Sequence, residues 1–338
     1  MLEHGGNISL AAQQYGIAIE DWLDLSTGIN PDGYPIPPIS PTIWQKLPLE
    51  EDGLIETACA YYGCQQVLPV AGSQAALQLL PKLRRPGKVA MLSPMYQEHA
   101  HAWRQNAHEV TTFTTFNDDT LNQADVVLLC NPNNPTAQLF SPEALLQLHA
   151  KLASRGGWLI VDEAFMDATP EHSIARHSHW NGLIVLRSIG KFFGLAGIRA
   201  GFLLGAAPLL KQAQEMLGPW TLSGPSRFIT KQALANAAWQ NNTRLKLVQS
   251  SERLVMLLGQ FGLTPQAGTA LFQFVPSQQA AQLQHHLATQ GIWLRHFREL
   301  NALRFGLPTE SGRLLAMPVL ALTSLILLAS QSVTHSAH

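Results

Sequence analysis

Cysteine is scarce in this sequence. Of 338 residues only Cys59, Cys64 and Cys130 carry a thiol. The number is odd and no two form a Cys-x-x-Cys pair, so a reduced, cytoplasmic protein is expected. Charge is scarce as well. Asp, Glu, Lys and Arg make up 13% of the chain and the net charge is −1. A nucleic-acid binder needs a basic excess to neutralise phosphates, and none exists. An anionic ligand must therefore be held by a few placed groups, not by a general field. The first residues, Met1 to Asn7, show no basic stretch followed by an apolar run, so no signal peptide is expected. No Gly-x-Gly-x-x-Gly follows a strand-like run, which argues against a dinucleotide enzyme. His99, His101, His172, His177 and His179 have no cysteine or carboxylate that completes a ligand set. They read as surface histidines, and no metal is expected.

One stretch lacks charge altogether, residues 314–330, LLAMPVLALTSLILLAS. It is slightly short for a membrane span and contains Pro318, so it reads as a buried C-terminal helix and no membrane partner is expected.

Hydrophobic residues make up 46% of the chain, enough for a substantial core, and the length suits one large or two medium domains. Residues 1–48 are rich in proline and glycine, with Asn30-Pro31-Asp32-Gly33 and Pro35-Ile36-Pro37-Pro38, and read as an extended arm with turns. Beyond residue 65 short apolar runs alternate with helical patterns. Val89–Leu92, Val126–Leu129, Trp158–Val161 and Leu183–Leu186 each end at a polar residue or a proline. Runs without polar alternation indicate strands buried on both faces, as in a mostly parallel sheet. Ser141, Pro142 and the pair Gly156-Gly157 punctuate a helix between two of them. Residues 49–215 are thus expected to form a large α/β domain. Residues 216–338 are expected to supply a long helix over about 215–250 and a smaller α/β domain, with a helix near 278–289 and a strand at 291–294.

In open α/β sheets, ligands bind outside the carboxyl ends of the strands. Asn134, Asp162 and Ser188 follow such ends and are expected on one crevice. Lys191 lies in a glycine-rich turn, three residues after Ser188 and eight before Arg199. A lone lysine here would be a surface residue. With a hydroxyl and a guanidinium beside it, it suits a cofactor that offers an aldehyde to the amine and a phosphate to the donors. Asp162, at a buried strand end, needs a partner, and a protonated pyridine nitrogen would serve; alone it would read as a helix cap. Gly72 and Ser73 open a helical run whose free amides suit a phosphate. Tyr96 is placed to stack on a ring.

In this order and spacing these residues resemble the pyridoxal-phosphate (PLP) dependent aminotransferase class I/II superfamily, of fold type I. The resemblance implies Lys191 as the residue bonded to the cofactor, Asp162 at its ring nitrogen, Asn134 at its ring hydroxyl and Tyr96 stacked upon it. Gly72, Ser73, Ser188 and Arg199 would hold its phosphate. Phe165 and Leu47 stand where many relatives have tyrosine, and Ala137 stands where a glycine is usual. His4-Gly5-Gly6-Asn7, Leu25–Pro31, Asp162–Asp167, Gly291–Arg295 and Leu303–Phe305 resemble the threonine-phosphate decarboxylase branch of cobalamin biosynthesis. That resemblance implies His4, Gly5, Asn134, Arg295 and Arg304 as substrate-binding residues and decarboxylation of O-phospho-L-threonine. It also implies a homodimer. The alternative is a histidinol-phosphate-type aminotransferase, which shares the cofactor residues.

Overall fold

The computed structural model describes residues 4–309, so the uncharged stretch 314–330 lies outside the described residues. In chain order the main elements begin with α1 (Ile8–Tyr15), β1 (Leu23–Asp24), α2 (Pro41–Gln45), α3 (Leu54–Tyr62), β2 (Leu68–Val70), α4 (Ser73–Leu79) and β3 (Lys88–Leu92). There follow α5 (Gln97–Gln105), β4 (Glu109–Phe113), α6 (Thr120–Gln123), β5 (Val126–Cys130), α7 (Pro142–Ala153), β6 (Trp158–Asp162), β7 (Leu183–Ser188) and β8 (Gly201–Leu204). The chain continues with α8 (Ala207–Leu217), α9 (Gly224–Ala235), α10 (Ala237–Gln260), β9 (Ala267–Thr269) and β10 (Phe272–Pro276). It ends in α11 (Ala280–Thr289), β11 (Ile292–Trp293), β12 (Arg295–Phe297) and β13 (Ala302–Gly306). Among the described residues no helix is long and apolar enough to cross a membrane.

The chain divides into two compact units, one of residues 33–242 and one joining residues 1–32 to 243–338. This division differs from the boundaries expected at 48/49 and 215/216. The first 48 residues do not act together: residues up to Asp32 belong with the C-terminal part, and the rest of the arm belongs with the larger unit.

The larger unit is built on a seven-stranded sheet of order β2-β8-β7-β6-β5-β3-β4. β8 alone runs against the others, pairing antiparallel with both β2 and β7. The four apolar runs of the sequence are all strands of this sheet, and every residue of β5 and β7 is buried. The absence of polar alternation follows from this double burial, because each buried Val, Leu or Ile contributes about 1.5–3 kcal/mol. On one face Val89, Met91, Val126, Leu128, Ile160 and Ile184 pack with Leu79, Trp103 and Leu210 of α4, α5 and α8. α7 begins as its sequence requires: the Ser141 hydroxyl accepts from the Ala144 amide at 3.2 Å, with Pro142 in the first turn.

The long helix expected over 215–250 is three helices. α8 stops at Gly218, whose φ of 73° only glycine adopts freely, and Pro219 follows. Ser223 caps α9 by accepting from the Ser226 amide at 3.3 Å. Asn236 separates α9 from α10, its side-chain oxygen accepting from the Trp239 amide at 3.0 Å. Local polar caps thus outweigh an otherwise helical composition.

The smaller unit holds the antiparallel sheet β12-β13-β10-β9 and the parallel pair β1-β11. The helix and the strand expected near 278–289 and 291–294 are α11 and β11.

Candidate active site

Parallel strands bring their carboxyl ends to one edge of the sheet. In the register of the larger unit Cys130 pairs with Asp162, Asp162 with Leu186, and Ser188 with Gly201. The Asn131 amide donates to the Asp162 carbonyl at 2.9 Å. The turn bearing Asn134, the Asp162 carboxylate and Ser188 therefore gather on this edge.

Asp162 is buried, and both of its oxygens are engaged. Oδ1 accepts from the Ala164 amide at 3.0 Å, and Oδ2 meets Nε2 of His99 at 2.9 Å. His99 was expected at the surface without a thiol or carboxylate near it. It is instead 1% exposed, and one of its ring nitrogens, the Cys130 sulfur and an Asp162 oxygen lie within 4.8 Å of one another. It stands three positions after Tyr96, so both sit at the start of α5. Only the phase of that helix places the imidazole inward, which no motif discloses. Its Nδ1 is buried and has no hydrogen-bond partner among the described residues. Tyr96 lies edge-on to the imidazole, with centroids 6.1 Å apart. Burial, then the negative charges of Glu98 and Asp162, pushes the Tyr96 phenol up to about 12. It stays a neutral ring at any working pH.

A second corner is built from glycines. Gly72 has φ of 75°, and a Cβ there would stand 2.7 Å from Nη2 of Arg199. A Cβ on Gly201 would stand 2.7 Å from the Ser73 amide nitrogen. The start of α4 thus packs directly on the strand that follows Arg199, and Ser188 sits opposite Gly201. The Gly190 amide donates to the Ser188 hydroxyl at 3.2 Å. Lys191 lies on the same turn, its Nζ 5.5 Å above the Phe165 ring. The eight residues expected at a cofactor, Gly72, Ser73, Tyr96, Asn134, Asp162, Ser188, Lys191 and Arg199, all fall in the larger unit.

The remaining candidates fall in the smaller unit. Arg295 and Arg304 are directly opposed across β12 and β13. Arg304 is buried, donates from Nη2 to the Ser26 carbonyl at 2.6 Å, and lies over the Phe272 ring at 5.2 Å. Burial, and secondly the charge of Arg295, lowers its pKa to about 10, with Asp24 acting against both. Ser26 also anchors the N-terminal motif. Its hydroxyl accepts from the Gly6 amide at 2.7 Å, and a Cβ on Gly5 would stand 2.4 Å from its carbonyl oxygen. The chain around Gly5, next to His4, is thereby held against the residue that Arg304 contacts.

A family model described as aminotransferase class I and II matches residues 47–320. A threonine-phosphate decarboxylase of Pseudomonas aeruginosa is 51% identical over 92% of this chain and 95% of its own length. One from Sinorhizobium sp. is 40% identical over 87% and 89%. A histidinol-phosphate aminotransferase of Sinorhizobium meliloti, solved in complex with pyridoxal 5'-phosphate, superposes with a TM-score of 0.78 at 18% identity, covering 98% of this chain and 96% of that one. The L-threonine-O-3-phosphate decarboxylase of Porphyromonas gingivalis gives 0.76 at 18% identity over 88% and 98%. The sheet order, the match over most of the length and the agreement of these relatives lead to one conclusion: the chain belongs to the aminotransferase class I and II family.

Proposed function

We propose that this chain is a PLP-dependent carbon–carbon lyase that decarboxylates O-phospho-L-threonine to aminopropanol phosphate, a precursor for cobalamin. The donor set suits the cofactor. Gly72 lacks the side chain that would fill the space beside the Arg199 guanidinium, leaving a cradle in which Ser73, Ser188 and Arg199 can hold a phosphate. Asp162 is a buried carboxylate able to face a protonated ring nitrogen. Tyr96 offers a neutral face, and Asn134 an amide for the ring hydroxyl. When bound, PLP would accept the electron pair left at the substrate's Cα.

The residues then divide the work. Lys191 would supply the amine that joins the cofactor and, once displaced by the substrate, would deliver the proton that replaces CO₂ at Cα. Asp162, steadied by His99 and the Ala164 amide, holds its negative charge where positive charge must be retained. Arg304 and Arg295 supply charge for the carboxylate and phosphate of the substrate. His4 and Gly5 line the same region.

The single observation that carries the substrate reading is the opposed arginine pair. Two like charges directly across a ladder are unfavourable, and one of them is buried. A small dianion relieves both costs. The 51% identical decarboxylase is the stronger relative, since a Burkholderia pseudomallei histidinol-phosphate aminotransferase reaches 29% over 72% of the chain. The test supplies O-phosphothreonine alone, then histidinol phosphate with 2-oxoglutarate. Release of CO₂ in the first supports the proposal. Glutamate formed in the second, without CO₂ in the first, replaces it with the aminotransferase reading.

Two further parts belong to the same proposal. The protein works as a homodimer: Trp44, Leu47, Leu49 and Trp220 of the larger unit are at least half exposed, an apolar set that a second copy would cover. It is also cytoplasmic, consistent with three cysteines that are all free.

A further inference from the structure

Beneath the carboxyl edge of the large sheet lies a buried ionic cluster that the proposed chemistry does not use. Arg187, the residue before Ser188, is 2% exposed, and Glu163 and Asp167 are 0% exposed. Nη1 of Arg187 donates to Oε2 of Glu163 at 2.6 Å, and Nη2 donates to Oδ1 of Asp167. Glu163 also accepts from the Ser173 hydroxyl and, at 2.9 Å, from the Ile174 amide. The face of the guanidinium lies 4.5 Å from the Tyr62 ring at the end of α3. The next ring along, Tyr61, meets Phe193 two residues after Lys191, with centroids 5.8 Å apart.

The connectivity gives the cluster its meaning. Side chains of successive residues in extended chain point to opposite sides. Asp162 and Glu163 are successive, and so are Arg187 and Ser188. The pair facing down is therefore bonded rigidly while the pair facing up is offered to the cofactor. One guanidinium ties the end of β6, the 166–174 segment and the end of β7 into one piece. Lysine could not replace it, because the two carboxylates and the tyrosine face require a planar fork.

We propose that Arg187 and Glu163 are positioning residues for cofactor capture: their buried ion pair sets the separation between Asp162 and the Ser188–Lys191 turn. This rests on the assignment of Asp162, Ser188 and Lys191 to PLP. A buried ion pair is weak grounds for stability, since desolvation cancels much of the attraction. Burial pushes the Glu163 carboxyl up, against the pull of Arg187, so its charge is held at a cost. A fixed geometry is the return for that cost.

Glu163→Gln keeps the volume but turns a double acceptor into a group with one acceptor and one donor. In either orientation the new NH₂ faces donors, Arg187 and Ser173 in one and the Ile174 amide in the other. Arg187 retains Asp167, so the variant keeps a partner for its buried cation. Asp52→Asn serves as the control, because it breaks the Arg227–Asp52 pair elsewhere in the same unit. The measurements are the PLP dissociation constant of the cofactor-free protein, the pH midpoint of the bound cofactor's visible band, and Tm. In Glu163→Gln and Arg187→Lys the dissociation constant rises by roughly 10-fold or more, the effect of weakening one charge-assisted hydrogen bond, and the midpoint moves. In Asp52→Asn Tm falls while both cofactor readouts stay at the wild-type value. Unchanged affinity and midpoint in folded Glu163→Gln overturn the inference, as does an equal loss of affinity in Asp52→Asn at matched Tm. Failure of the wild-type chain itself to take up PLP overturns the cofactor assignment on which it rests.

Discussion

At the scale of single residues, the cofactor site proposed here is carried by short motifs. Lys191, Asp162, Asn134 and Arg199 stand out because the proposed chemistry needs particular residue types close after strands. His99 was not legible, since only the rotation of α5 buries it against Asp162. Replacing His99 by Leu removes that bond and is expected to lower turnover by about 10–100-fold, as losses of supporting hydrogen bonds commonly do. Steady-state kinetics with O-phosphothreonine check it, and a variant within twofold of wild type removes His99 from the site. Gly72→Ala puts a Cβ 2.7 Å from the Arg199 guanidinium. PLP affinity should drop at least about 10-fold, given the cost of displacing a phosphate-binding arginine. Fluorescence titration of the cofactor-free protein reads this directly. For Arg304 the expected outcome concerns anions. Its pKa lies near 10, below the ordinary 12.5, so the folded protein holds this proton less tightly than the unfolded chain. At neutral pH the cation is present in both states and its burial is a standing cost; stability rises with pH only between those two values. With PLP loaded, so that the cofactor's own phosphate fills the proposed cradle, millimolar inorganic phosphate should raise Tm of the wild type and leave Arg304→Gln unmoved in a calorimetric scan.

At the scale of elements, apolar run length and punctuation were sufficient for β3, β5, β6, β7 and α7. They failed over 215–250, where Gly218, Ser223 and Asn236 divide one amphipathic stretch into three helices. A cap is a local hydrogen bond, and composition averaged over a window hides it. Helices α3 and α9 show a tie that no periodicity reveals. Arg227 donates to both oxygens of Asp52, at 2.8 and 2.7 Å, and Lys231 donates to the Asp52 carbonyl. Partial burial alone would raise the Asp52 pKa, but the bonds from Arg227 and the Leu54 amide outweigh it and leave it lowered. The sign follows: the stabilising contribution is complete above the ordinary carboxylate range and disappears as pH falls through the lowered value. Asp52→Asn should cost about 1 kcal/mol at pH 7, and the difference from wild type should shrink in acid. Urea melts at pH 7 and pH 3 test both parts.

At the scale of the whole molecule, the sequence leads to an arm and two domains with limits at 48/49 and 215/216, whereas the compact units divide at 32/33 and 242/243, because the smaller unit takes its residues from both ends of the chain. Nothing in residues 1–32 announces a partner beyond residue 243. The strand pairing Leu23 with Ile292 and Asp24 with Trp293 is visible only in three dimensions. Leu47, 66% exposed, stands in the apolar set proposed for the dimer. Leu47→Asp should shift sedimentation toward the monomer by weakening a hydrophobic contact, and should lower Tm as well, because subunit association adds to stability.

The discontinuous unit also fixes an order of events during synthesis. The Ser26 carbonyl waits for Arg304, 278 residues later in the chain. At roughly 5–20 residues per second, that interval is tens of seconds on the ribosome. Residues 33–242 emerge as an uninterrupted run and can close their sheet in that time. The first 32 residues cannot dock until nearly all of the chain exists. The proposed phosphate cradle is thus completed early in the life of each molecule, and the arginine pair last. On the proposed assignment, a nascent chain has the means to accept a cofactor before it has the means to hold a substrate.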